Sequence, residues 1–343
     1  MSENGYRVGV LGATGAVGST ILEVLAERGF PAGELVPYAS GRSAGRRLDW
    51  NGSELEVREL KEETIADLDV VLSSAGGSVS AEWAPKLVDA GAVVVDNTSY
   101  WRMHDDVPLV VSEVNPEAVE GHNGIVANPN CTTMQMVVAL APIHRAASLE
   151  RVILSSYQSV SGTGRRAIEE LRRQTADVLS GRQTQADVYP HQVAFNVVPQ
   201  VETFKDGDDY TTEERKVMGE TRKILSLGEE VGITATCVRV PVIAGHSESV
   251  NVQTRDDLSP EDCRELLAAA PGIVVLDDPG DGIYPLAIDA AGRDEVLVGR
   301  IRRDPSHPRC LNLWIVGDNL RKGAATNAVQ VAELLVERDL LRA

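Results

Sequence analysis

The sequence predicts two domains, an N-terminal α/β domain on a parallel sheet and a C-terminal α+β domain with a mostly antiparallel sheet. Three observations predict this. At 343 residues the chain exceeds the size at which one hydrophobic core usually keeps growing. Its first 130 residues alternate short apolar runs with amphipathic stretches, the pattern of parallel strands joined by crossover helices. Beyond them the apolar runs lengthen and the alternation with helices is lost.

In the first half, strands are expected at residues 7–11, 34–38, 70–73, 92–96, 109–111 and 124–127. Apolar Val17, Ile21, Leu22 and Leu25 fall at helical spacing between the first two, predicting a helix over 17–28. In the second half, strands are expected at 151–160, 233–243, 248–254 and 295–301. Helices are expected near 134–147, 164–179, 212–227 and 260–270, and 177–209 reads as a loop-rich insertion. Residues 319–343 end the chain in an amphipathic helix expected to pack back on the first domain. The domain boundaries are therefore 1–130 with that helix, and 131–318.

With 51 acidic against 33 basic residues the net charge is −18, which repels phosphate backbones and anionic headgroups. Nucleic acid and membranes are not expected partners, and an anionic substrate would need a local cluster of positive charge. No apolar run approaches a membrane span. Near the start, Glu3 stands where a secretory leader would be basic. Cys131, Cys237, Cys263 and Cys310 lie far apart without a C-x-x-C pair, so neither a zinc site nor a disulfide framework is expected. A reducing cytoplasm fits these features.

Residues 7–18 read Arg-Val-Gly-Val-Leu-Gly-Ala-Thr-Gly-Ala-Val-Gly, with Gly12, Gly15 and Gly18 between the first strand and first helix. Such a turn lets a backbone approach a pyrophosphate at a helix N-terminus, which makes the first domain Rossmann-like and dinucleotide-binding. A glycine-rich turn kept for packing is the plainer alternative. An NAD site places a carboxylate at the end of the second strand. Here Ser40, Arg42 and Ser43 stand there instead, and two hydroxyls with a guanidinium suit the 2′-phosphate of NADP. Arg42 as a solvated loop charge is the alternative.

Asn128-Pro129-Asn130-Cys131-Thr132-Thr133 precedes the expected helix, so Cys131 sits at or just before its N-terminus. A thiol there is acidified, and the free amides can cradle an oxyanion. Lone cysteines are otherwise small buried hydrophobes, the reading kept for the other three. Arg239 interrupts a β-branched strand on the face of Cys237 and Ile243, so it is either salt-bridged or at a ligand site. His246 follows Gly245 just beyond that strand and suits a base once a nucleophile is in view. Lys216 lies amid Glu213, Glu214 and Glu220, where a surface ion pair competes with a functional role.

Taken with Gly-Ala-Thr-Gly-Ala-Val-Gly, the Asn-Pro-Asn-Cys-Thr-Thr run closely resembles the aspartate-semialdehyde dehydrogenase family. The resemblance continues in order through Val95–Ser99, Tyr157–Gly162, Glu220–Ile224, Arg239–Val242 and Gly245–Glu248. It implies Cys131 as nucleophile, His246 as acid/base and Gln158 as the residue positioning the reacting group. Arg239 and Glu213 would bind the substrate's carboxylate and amino group, with Glu214 competing for the latter role. Arg102, Asn130 and Lys216 would hold inorganic phosphate. The NADP contacts expected are Gly12, Thr14, Gly15, Ala16, Val17, Ser40, Arg42, Ser43, Ser161, Gly162 and Asn319, with no metal. The family implies a cysteine thioester, reductive dephosphorylation of L-aspartyl-4-phosphate to L-aspartate 4-semialdehyde, and a homodimer. The route serves lysine, threonine, methionine and diaminopimelate biosynthesis. Competing readings are an N-acetyl-γ-glutamyl-phosphate reductase and a non-catalytic NADP-binding sensor.

Overall fold

The computed structural model describes residues 5–341. Glu3 and the extreme ends of the expected first domain and terminal helix, 1–4 and 342–343, lie outside the described residues. In chain order the first part carries β1 (Tyr6–Leu11), α1 (Ala16–Glu27), β2 (Ala32–Ala39), β3 (Arg47–Trp50), β4 (Ser53–Glu56) and β5 (Arg58–Glu59). It continues with β6 (Val70–Ser73), α2 (Gly77–Asp89), β7 (Val93–Asp96) and β8 (Ile125–Ala127). Next come α3 (Cys131–Ala147), β9 (Leu149–Gln158), α4 (Arg165–Leu179), α5 (Thr212–Leu225), β10 (Gly232–Arg239) and β11 (His246–Thr254). The remainder is α6 (Pro260–Ala268), β12 (Ile273–Val275), α7 (Ala287–Ala290), β13 (Val296–Arg303), β14 (Cys310–Gly317) and α8 (Asn327–Glu337).

The chain divides into two compact units, one running to Asn130 and resuming at Ala324, the other spanning Cys131–Gly323. The first is a parallel sheet in the order β5-β2-β1-β6-β7-β8. Its central strands β6 and β7 are buried on both faces, which is why Val70–Leu72 and Val93–Val95 read as unbroken apolar runs. Ile21, Val24 and Leu25 of α1 and Val329, Val331 and Leu335 of α8 share one core with β1 and β6.

In the second unit the sheet order is β10-β9-β11-β14-β13-β12, antiparallel through its middle and parallel at each end. Helix α3 is apolar nearly all round and buried from Thr132 to Ala141, so it forms the centre of this unit instead of covering its surface.

Several expected boundaries move. The strand expected at 109–111 reduces to one bridge, Leu109 to Ala127, beside Pro108, which has no N–H to extend a ladder. The strand expected over 233–243 stops at Arg239, because Pro241 breaks it two residues on. Val240 and Val242 stay tied to β9 and the turn after it: Val240 donates to Gln158 O, and Val242 O accepts from Val160. The terminal helix starts late: 319–323 belong to the second unit, and a π-helical turn at Arg321–Thr326 precedes α8. Strand β14 and helix α2 were not anticipated.

Candidate active site

Cys131 is the first residue of α3 and is partly exposed, whereas Cys237, Cys263 and Cys310 are buried. Burial pushes the Cys263 thiol up to about 12 and the Cys237 thiol higher still, so neither is a nucleophile near neutral pH. Gly323 lets the chain pass close beside Cys131: a Cβ there would lie 2.9 Å from the Cys131 Cβ.

The Cys131 Sγ is 3.4 Å from Nε2 of His246, the first residue of β11. His246 is fully buried, and its Nδ1 accepts a hydrogen bond from the Ser159 backbone N–H at 3.0 Å. A neutral ring whose Nδ1 is an acceptor carries its proton on Nε2, so this network assigns an N–H that faces the sulfur. Burial, and after it the Arg239 charge, hold the imidazole pKa well below the usual histidine range. His246 is therefore a neutral donor at pH 7, and the base half of an acid/base role works against the Ser159 contact.

This has a pH consequence with a definite sign. The unfolded chain takes up a proton at His246 below about pH 6.5. The folded protein does not, so stability is complete above that pH and falls as pH drops below it. Urea unfolding at pH 7.5 and 5.5 should show wild type losing up to about 1.4 kcal/mol per pH unit more than His246→Asn. Equal losses in both proteins would contradict the assigned neutral ring.

Arg239, at the end of β10, is buried, and among the described residues no carboxylate bridges it. One Nη donates to Ser159 O at 2.5 Å, the guanidinium lies 5.5 Å from the Tyr189 ring, and its Nε finds no acceptor. The salt bridge that was one of its two expected settings is therefore not found among the described residues. Gly162 adjoins both groups, since a Cβ there would come 3.4 Å from the His246 ring and 3.7 Å from Arg239.

Gln158, at the end of β9, donates to Glu213 Oε1 at 3.1 Å and to Ser156 Oγ at 3.2 Å. Its neighbour Glu214 is committed elsewhere: it closes the capping box of α5 with Thr211 and accepts the Cys237 N–H at 2.8 Å. Glu213 is therefore the carboxylate turned to this cluster. Lys216 pairs with Glu202 and stands 3.9 Å from Glu213 Oε2, so the expected ion-pair alternative is present in this structure.

Ser161 and Asn319 lie in the same unit. The Asn319 amide is buried and holds the turn after β9, accepting from Ser159 Oγ, Ser161 Oγ and the Gly245 N–H. Its side chain shapes the site from behind. The supporting residues Ser159, Gln135, Tyr189 and Gly323 carry no sequence signal of their own, because each acts through a partner distant in the chain.

In the first unit, Arg102 is buried and donates to Asn128 O at 2.9 Å and Asn97 O at 2.7 Å. Asn128 is fixed in turn by Asn97 and Asn327. Asn130 is buried at the end of this unit. Of the three expected phosphate ligands, Arg102 is thus held by a hydrogen-bonded asparagine network.

The glycine loop has the form a dinucleotide needs. Gly12 has φ +76°, and a Cβ on Gly18 would lie 2.1 Å from Gly12 O, so only glycine fits. Gly15 caps α1 with no side-chain bond, leaving the amides of Ala16 and Val17 in its first turn to face a phosphate, beside half-buried Thr14. After β2, Ser40 and Ser43 close a turn by a 2.8 Å backbone bond, with Arg42 exposed between them. One carboxylate the strand end lacked does arrive through the fold: Glu59 of β5 lies 2.8 Å from where a Gly41 Cβ would be, paired with Lys61 at 2.7 Å. If Arg42 holds a 2′-phosphate, Arg42→Ala should raise the NADPH KM about tenfold and leave the NADH KM unchanged. Equal changes for both cofactors would assign Arg42 to the loop alone.

Among the described residues no group of three or more His, Cys, Asp or Glu is placed to hold a metal ion. No helix of the described chain is long and apolar enough to cross a membrane.

Comparison with known proteins places this arrangement. Residues 7–122 match the semialdehyde dehydrogenase NAD binding domain, and residues 140–322 match the semialdehyde dehydrogenase dimerisation domain. Together they define a two-domain semialdehyde dehydrogenase. Over 98% of this chain, aspartate-semialdehyde dehydrogenase from Aquifex aeolicus is 54% identical and matched over its whole length. The Legionella pneumophila enzyme of that name is 52% identical over 98% of this chain and 97% of its own. Among solved structures, aspartate semialdehyde dehydrogenase II from Vibrio cholerae superposes with a TM-score of 0.94 at 48% identity, over 97% of this chain and 99% of that one. The chain belongs to the aspartate-semialdehyde dehydrogenase family.

Proposed function

We propose that this chain interconverts L-aspartyl-4-phosphate and L-aspartate 4-semialdehyde with NADP(H), through a thioester at Cys131. The observation that carries the reading is the Cys131–His246 pair, 3.4 Å apart, with Arg239, which no described carboxylate bridges, held on Ser159 O next to it and Glu213 reached through Gln158. Relatives point the same way. A related Vibrio cholerae structure was solved complexed with ASA, and a Candida albicans aspartate semialdehyde dehydrogenase was solved with NADP.

The residues divide the work as follows. Arg239 takes the substrate α-carboxylate and Glu213 its ammonium, which fixes the γ-carbon relative to Cys131. The Cys131 thiolate attacks the acyl phosphate carbon; the C–S bond forms, the C–O bond to phosphate breaks, and inorganic phosphate leaves to Arg102, Asn130 and Lys216. NADPH, when bound on the glycine loop, supplies the hydride. The thioester carbonyl then becomes a hemithioacetal oxyanion, and the His246 Nε2–H is the donor suited to stabilise it. Collapse of the oxyanion releases the aldehyde and returns the thiolate, so no net proton transfer to the imidazole is needed. Gln158, anchored on Glu213, orients the carbonyl. On a chain of charge −18 an anionic substrate requires local cations, and within the second unit Lys216 and Arg239 supply them.

The reading includes a homodimer in the cytoplasm, feeding lysine, threonine, methionine and diaminopimelate biosynthesis. The matched dimerisation domain supports the dimer. Two substrates test the activity. NADPH formation from aspartate semialdehyde should require inorganic phosphate and should far exceed that from the N-acetylated glutamyl analogue. Turnover without phosphate, or a preference for the analogue, would overturn the proposal.

A further inference from the structure

Two residues beyond His246 on the same strand and face lies Glu248, which is fully buried. Neither of its carboxyl oxygens has a hydrogen-bond partner, and among the described residues no Lys, Arg or His forms an ion pair with it. Its cross-strand neighbours are Ser156 on β9 and Ile315 on β14. The titratable side chains nearby are His246, held neutral, Cys237 on β10 and, through Cys237, Glu213 and Glu214 on α5; none is a cation. A carboxylate in such a place loses its hydration and gains little in return. Burial pushes the Glu248 carboxyl well above the usual range, eased only by its neighbour Gln135.

Gln135 is the second half of the observation. It lies on α3 one turn after Cys131 and is fully buried. Its Nε2 donates to the His246 backbone O at 3.2 Å. That bond fixes the amide orientation, since a flipped amide would set two oxygens against each other. Its Oε1 is then a buried acceptor without a donor. Gly317 makes room for this side chain, because a Cβ there would come within 2.8 Å of Oε1. Two neighbouring groups are thus each one proton short of being satisfied: an acceptor with no donor, and a carboxyl with no partner.

We propose that Glu248 is a carboxylic acid whose proton is donated to Gln135 Oε1, and that this bond makes Glu248 a positioning residue for the Cys131–His246 pair. Held at both ends, the Gln135 amide ties the first turn of α3, which carries Cys131, to the start of β11, which carries His246. An ionised Glu248 would instead attract Nε2, release the His246 carbonyl and loosen that tie. The functional part of this inference rests on the reading of Cys131 and His246 given above. The protonation state does not.

The experiment uses the full-length enzyme, wild type, Glu248→Gln and Glu248→Leu, at pH 7.5. The infrared difference spectrum of wild type minus Glu248→Gln should show the carbonyl band of a protonated carboxyl group, shifted in D2O. Glu248→Gln, a neutral donor of the same shape, should fold and keep kcat and the iodoacetamide alkylation rate of Cys131 within threefold. Glu248→Leu should lower both at least tenfold, with the aspartate-semialdehyde KM changed less than twofold. Absence of the band would overturn the proposal. So would a Glu248→Gln protein that fails to fold or falls as far as Glu248→Leu. Should wild type show the band and the alkylation pattern but no turnover, Glu248 stands as proposed and the enzymatic reading fails.

Discussion

Replacing Cys131 with alanine should abolish phosphate-dependent NADPH formation, with a loss of about 10³-fold or more, because the covalent route disappears. Serine at this position should be nearly as inactive: its hydroxyl stays protonated near neutral pH, and the 3.4 Å contact to a neutral His246 N–H offers it no base. Folding should be unaffected, since Cys131 is partly exposed and alanine keeps the Cβ that packs beside Gly323. The measurement is steady-state NADPH production with and without phosphate, alongside thermal unfolding of each variant. Mass spectrometry of wild type treated with the acyl phosphate, NADPH withheld, should find one adduct, on Cys131. Residual turnover of a tenth or more in Cys131→Ala would sink the thioester mechanism.

Arg239→Leu should show the second largest effect, a fall in kcat/KM of about 10²–10³-fold from removing the proposed buried partner of the substrate carboxylate. Arg239→Lys should recover only part of it, because a point charge cannot reproduce a two-pronged guanidinium contact. Stability should move the other way. The guanidinium is buried without a carboxylate, and its Nε lacks an acceptor, so removing the charge should raise stability by about 1 kcal/mol despite the lost Ser159 contact. Opposite changes in activity and stability are what a ligand-binding arginine produces. A loss of both, with unfolding easier by about 2 kcal/mol or more, would mark Arg239 as structural.

How much of this was legible beforehand differs from residue to residue. The glycine loop was readable because its constraint is local: Gly12 needs a positive φ and Gly18 a close approach, both within one strand–turn–helix segment. Cys131 was readable for the same reason, as the turn and the helix that flank it are adjacent in the chain. The strand end at Arg239 was placed four residues too far, because β-branched Val240 and Val242 outweighed Pro241 in the pattern. Strand β14 went unmarked although it lies between β11 and β13 at the heart of its sheet.

Choices between neighbours were not legible at all. Glu213 and Glu214 are equivalent in sequence; only the fold shows that Glu214 is spent on the α5 cap and the Cys237 N–H while Glu213 meets Gln158. Lys216 had two readings, and the side chain is found on Glu202, a loop residue fourteen positions earlier. Likewise the end of β2 carries no carboxylate, yet Glu59 is brought beside Gly41 by a parallel strand from elsewhere.

By itself the sequence determined the two-part architecture, the glycine loop and the place of Cys131 at a helix start, since periodicity, glycine geometry and helix-end signals act over a few neighbouring residues. Only the tertiary structure decided the proton on His246, the freedom of Arg239 and the burial of Glu248. Those properties belong to the environment that distant strands build around a side chain: the Ser159 N–H on Nδ1 of His246, and, among the described residues, no carboxylate bridging Arg239 and no cation paired with Glu248. Burial and partners set charge states, and neither is written in the order of the residues.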